Sequence, residues 1–158
     1  MSNEIINNRY GWRYIRQKVV DFDLTEDLLI IRDISSEIYV HNAIYQYGEC
    51  RIKDKWQKIT KNIKLKISKM SLNSFGCLWL VDESNRLYYS NDINFYSPQI
   101  EAELNQVKHS LFSAIKDIYV ANERLYLITR ENKIYVKERI FDITTLKCNA
   151  GDVILDIT

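Results

Sequence analysis

Between positions 51 and 69 the chain carries eight basic side chains, Arg51, Lys53, Lys55, Lys58, Lys61, Lys64, Lys66 and Lys69, against one acidic residue, Asp54. The whole chain has a net charge of +1, so the remainder is acidic on balance. Ammonium groups at this density attract phosphate, sulfate or carboxylate. Trp56, in their midst, offers an aromatic plate on which a sugar or a base can stack. The chemistry this implies is non-covalent capture of an anionic ligand, a glycan foremost. Its ligand-binding residues are Trp56, Lys53, Lys55, Lys58, Lys61, Lys64 and Lys66. The competing reading is that these lysines coat a solvated strand and loop while Trp56 packs between repeats, because a charge run is usually a solvated face.

Covalent chemistry has little to work with. His41 and His109 are the two histidines, and neither lies in a cluster of carboxylates. A nucleophilic centre needs a base oriented by a third group, and no serine sits in a nucleophile-elbow sequence. The four glycines, Gly11, Gly48, Gly76 and Gly151, are isolated, so no glycine-rich phosphate loop exists. Cys50, Cys77 and Cys148 are odd in number and form no C-x-x-C pair. Buried thiols in a reducing compartment are therefore expected, rather than a disulfide framework or a zinc site. No catalytic residue, metal ligand or cofactor is expected, and the protein is read as a non-enzymatic binder. A net charge near zero gives no general field to recruit nucleic acid or membrane. No apolar run approaches the ~20 residues of a membrane span, and the N-terminus lacks a signal-peptide core. A cytoplasmic protein, or one secreted without a classical signal, is expected.

The elements that must position these side chains are strands. At 158 residues the chain suits one domain, 1–158. Its eleven tyrosines favour strand, while one proline and four glycines leave its turns to Asn, Asp and Ser. A hairpin of one design occurs three times: Leu28–Ile31 with Ile38–Val40, Leu78–Val81 with Leu87–Tyr89, and Leu125–Ile128 with Ile134–Val136. Each has a strand-like run before it (residues 18–22, 64–70, 117–120) and an outer candidate after it (43–47, 93–96, 139–143). Self-similarity at this period marks a solenoid, a propeller or an array. Three inner strands and one outer strand per repeat match a four-stranded propeller blade. Trp79 and Tyr39, Tyr88, Tyr126 and Tyr135 fall at repeat positions and read as core between blades. Ser97 and Pro98 precede Ile100, Leu104, Val107 and Leu111, whose spacing predicts a short amphipathic helix at about 98–111.

The second repeat resembles the tectonin-type propeller repeat in Trp56, Ile59, Ile67-Ser68, Gly76, Leu78-Trp79, Val81, Asn85 and Leu87-Tyr88. The first keeps Trp12, Ile15, Ile31 and Ile38-Tyr39, and the third keeps Leu125-Tyr126, Ile128, Asn132 and Ile134-Tyr135 without a tryptophan. The resemblance implies an all-β partial propeller of about three blades (units about 12–48, 56–97 and 112–145). It also implies lectin-like recognition of a glycan or microbial surface. The terminal segment 152–158 reads as the opening strand of a further blade. Three blades do not close a ring, so the expected partner is a second copy forming a homodimer, or another protein whose incomplete ring this chain completes. Under the alternative reading the chain is a protein-interaction module: an inhibitor, an immunity-type partner or an assembly subunit.

Overall fold

A computed structural model describes residues 18–25, 28–46, 49–52, 56–61, 64–90, 93–111 and 113–158, with 42–46 and 49–52 described through their backbone. Trp12 and Ile15 of the first repeat lie outside these residues. The described chain is all β, without a helix, and so without one long and apolar enough to cross a membrane.

Three sheets follow one another along the sequence. The first contains β1 (Val19–Leu24), β2 (Leu28–Asp33), β3 (Ile38–Gln46) and β5 (Gln57–Lys61), in that spatial order, with β4 (Glu49–Ile52) paired to the far end of β3. The second contains β6 (Ile67–Leu72), β7 (Leu78–Asp82), β8 (Leu87–Ser90) and β10 (Leu104–Val107). The third contains β11 (Ile115–Ala121), β12 (Arg124–Thr129), β13 (Ile134–Lys137) and β16 (Leu155–Asp156). The small hairpin β14 (Phe141–Asp142) and β15 (Lys147–Cys148) stands beside the third sheet's sequence.

The repeat extends to single hydrogen bonds. In each unit the first strand carries an irregularity at the same place, between Val19 and Asp21, Ile67 and Lys69, and Ile115 and Asp117. Each hairpin turn closes alike, with Ser36 N–H donating to Asp33 O, Asn85 N–H to Asp82 O and Asn132 N–H to Thr129 O. Ser36, Asn85 and Asn132 hold φ of 60°, 64° and 61°, the left-handed region that Asn tolerates best among non-glycine residues. These landmarks make Leu29, rather than Leu28, the counterpart of Leu78.

Each sheet has a leading face and a trailing face, and the trailing face packs on the next sheet's leading face. Ile30, Ile38, Val40 and Ile59 of the first sheet meet Met70, Leu72, Leu78, Leu80 and Tyr88 of the second. Trp79, Val81, Leu87 and Val107 of the second meet Ile118, Val120, Leu125 and Leu127 of the third. Trp79 and Tyr88 are buried, as the repeat positions predict, while Tyr39, Tyr126 and Tyr135 are half-buried.

Polar latches recur at both junctions. Ser36 Oγ accepts the N–H of Ile67 at 2.9 Å, and Asn85 Oδ1, from the equivalent turn position, accepts that of Ile115 at 2.6 Å. Asp23 Oδ2 accepts Leu72 N–H at 2.8 Å, and Ser71 Oγ, its counterpart, accepts Val120 N–H at 2.9 Å. A buried amide left without an acceptor costs about 1–3 kcal/mol. Ser71→Ala is therefore expected to lower the unfolding free energy by that amount. A urea titration with unchanged slope checks it, and an unshifted midpoint contradicts the latch.

Four expectations are corrected. The helix at 98–111 is two strands, β9 (Ile100–Ala102) and β10. Residues 100–104 alternate buried and exposed, with Ala102 supplying the apolar position that helical counting skips. Leu104 and Val107, three apart, lie on opposite faces of β10 and enter the two different cores. β9 runs parallel to β5, pairing Ile59 with Ile100, so one segment binds the edges of two sheets. The outer strands are β5, β10 and β16 instead of 43–47, 93–96 and 139–143, which places the second unit's outer strand beyond its expected end at 97. Within 152–158, β16 joins the third sheet beside β13 in place of opening a further one. Finally, Cys77 and Cys148 form a disulfide, with Cα atoms 5.7 Å apart and a sequence separation of 71.

The disulfide belongs to a clasp between the second and third sheets. Phe75 and Phe141 stack beside it, with ring centroids 4.3 Å apart. Asn73 Nδ2 donates to Asn122 O at 2.9 Å. Gly76 holds φ +85°, with Phe95 packed where its side chain would stand, which accounts for the repeat's glycine at this position.

Candidate binding cleft

A cleft of about 540 Å³ opens where the first sheet meets the second. One wall is the β2–β3 turn, with Ser35, Ser36 and Glu37. The other is the end of β5 and the link to β6, with Lys58, Lys61, Lys64 and Lys66. β5 reaches this turn because it pairs with the start of β3, Lys58 opposite Tyr39 and Gln57 opposite Val40. Four of the seven residues assigned to ligand binding therefore converge on one surface.

Their settings differ. Lys61 is half-buried, and its Nζ donates to Ser36 O at 2.8 Å. Burial pushes its pKa below the ordinary lysine value, only partly opposed by the carboxylate of Glu37. Lys58 is exposed and pairs with Glu37 at 3.2 Å, a solvated contact of little energetic consequence. Lys64 and Lys66 are exposed and project from the link. The cleft therefore presents an excess of ammonium groups over one carboxylate, and an entering anion competes with Glu37 for Lys58.

Trp56 is not at this surface. It precedes β5 and presents its ring to buried His41, centroids 4.7 Å apart and planes at 72°. His41 points to the same side of the first sheet as Leu29, its cross-strand partner. Among the described residues, Lys58, Lys61, Lys64 and Lys66 line the cleft and the ring of Trp56 does not. Lys69 lines a different cleft, with Asp82, Glu83 and Arg130. Lys53 and Lys55 lie outside the described residues.

Ser35, Ser36 and Glu37 are members of the cleft that the basic run does not announce. Their signal is the turn itself, which packs against the strand leaving the hairpin, but seeing this requires the order of strands in the sheet. A larger cleft, about 770 Å³, lies between the second and third sheets, where Lys108 and Lys137 face Asp152 and Asp156. Lys137 Nζ is committed to the carbonyl of Asp152 and its charge is opposed locally, so this cleft selects no sign of ligand. Among the described residues no group of three or more His, Cys, Asp or Glu could hold a metal ion.

No protein-family model matches the chain. No curated protein matches it in sequence. Solved structures do match, among them the crystal structure of human WBSCR16, with a TM-score of 0.57 at 12% identity. The match covers 93% of this chain and 39% of that one, so the chain spans about two fifths of that protein's length. At this identity the likeness concerns the fold alone.

Proposed function

We propose that the three sheets are successive blades of a tectonin-type β-propeller and that the chain is a non-catalytic recognition protein for an anionic glycan. The observation that carries this reading is the convergence of Lys58, Lys61, Lys64 and Lys66, from a strand and a separate link, on one cleft. Blade-like order supports the scaffold, since each sheet runs as a meander and the sheets stack face to face. A rigid β framework holds the ammonium groups at fixed spacing, so ordering a repeating sulfated or carboxylated chain costs it little entropy.

Calorimetric titration with a sulfated oligosaccharide and its desulfated counterpart tests the reading. Binding of the sulfated form alone is expected, with affinity falling as salt is raised. Exposed charge contacts are worth up to about 1 kcal/mol each, so Lys61→Gln with Lys64→Gln should weaken binding by up to about thirtyfold. Trp56→Ala should change it little. Protonated Lys61 holds the anion and its pKa is depressed, so binding should begin to fail below the usual lysine range as pH rises. Equal affinity for the desulfated sugar, or an unaffected double variant, would remove the proposal.

A second reading, a protein-interaction module, is favoured by a different observation. Phe22 and Leu24 at one end of the stack, and Tyr119 and Leu155 at the other, are each more than half exposed. Exposed apolar faces of this kind mark interaction surfaces.

A further inference from the structure

The two ends of the stack are the two halves of a junction that the chain already makes twice. On the third sheet's trailing face, cross-strand pairing sets Tyr119, Tyr126, Ile128, Ile134, Val136 and Leu155 on one side. Ile128 and Ile134 are the counterparts of Val81 and Leu87. Those are 1% and 0% exposed under the third sheet, whereas Ile128 and Ile134 are 38% and 40% exposed. At the other end, Phe22 and Leu24 on the first sheet's leading face are the counterparts of Met70 and Leu72. Those are 5% and 4% exposed under the first sheet, whereas Phe22 and Leu24 are 61% and 60% exposed. The latch continues as well. Asn132 holds the turn conformation of Ser36 and Asn85, and among the described residues its Oδ1 meets the exposed ammonium of Lys116, at 3.3 Å, where the earlier two capture the next sheet's first amide.

We infer that a second copy of this chain covers both faces: the third sheet of each copy packs on the first sheet of the other, and two copies close a ring of six sheets. The inference rests on the interaction-module reading and narrows it to one occupant. A second copy is favoured because a single chain carries both complementary faces, and the faces match the pairing used at both internal junctions. Two such junctions related by a two-fold axis close on themselves and leave no apolar end. The Asn132 amide oxygen then accepts the N–H of Val19 from the second copy, the residue equivalent to Ile67 and Ile115.

Light scattering on the full chain across a dilution series should give twice the chain mass of 18.8 kDa. A trailing-face variant, Ile128→Lys with Ile134→Lys, and a leading-face variant, Phe22→Asp with Leu24→Asp, should each run at one chain mass. Mixed in equal amounts they should return to two, because each supplies the face the other has lost. A native chain of single mass at every concentration overturns the inference, as do open-ended filaments, or a dimer that survives in either variant alone. The native dilution series decides the matter even where a variant fails to fold. Should the native chain be monomeric, an apolar dye separates the two readings. Dye binding lost in both variants would retain an interaction surface for another protein, and no dye binding would remove that reading too.

Discussion

Reduction of the Cys77–Cys148 bond is expected to lower the unfolding free energy by about 4 kcal/mol. The bond closes a loop of 71 residues, and cross-links over such lengths restrict the unfolded chain by about that amount. The native clasp should persist without it at first, because the Phe75–Phe141 stack still holds the β14–β15 hairpin and the Asn73–Asn122 hydrogen bond still holds the β11–β12 turn. The loss should therefore appear in the unfolding equilibrium more than in the folded spectrum. Denaturant titrations with and without reductant measure it, and Cys77→Ala with Cys148→Ala should reproduce the reduced protein. A midpoint insensitive to reductant would show that the cross-link contributes nothing.

Trp79→Ala should be comparably severe, about 3–5 kcal/mol, the usual cost of emptying a buried aromatic site. Trp79 is fully buried, stacks on Tyr89 with centroids 5.4 Å apart, and belongs to the core between the second and third sheets. Its indole Nε1 finds no hydrogen-bond acceptor among the described residues. An unmet buried N–H is itself costly, so Trp79→Phe exchanges lost volume for a relieved donor and should cost much less than the alanine variant. Chemical denaturation of the two variants side by side checks this. Equal losses would mean that the volume phenylalanine retains contributes nothing and that the indole itself is required.

The hairpins were the legible part of the fold. Each is two short apolar runs joined by a local polar turn, with β7 buried on both faces, so the runs and the turn chemistry lie within about a dozen residues. The outer strands were not legible in the same way. β16 spans only Leu155–Asp156, and β5 and β10 owe their places to partners far along the chain. The segment at 98–111 misleads because Ile100, Leu104 and Val107 satisfy a helical stripe, while the strand they form serves two cores in turn. The cysteine pairing was hidden because the partners lie 71 positions apart in sequence, one just before β7 and the other in β15.

At the cleft, the structure brings Lys58, Lys61, Lys64 and Lys66 of the basic run to one surface. The basic run also placed Trp56 among them, whereas the ring packs on His41 and is not part of the cleft lining. Glu37 and the two turn serines needed the strand order.

The segment of β9 and β10 carries a consequence for how the molecule comes apart. Its first half is hydrogen-bonded to the edge of one sheet and its second half to the edge of the next. Neither sheet can fray from that side without surrendering bonds to the other. Detaching the whole Ile100–Val107 segment therefore breaks pairing in both sheets at once, which couples the opening of the first two units. The third unit is tied to the second by different means, a shared core, two latches and a covalent cross-link.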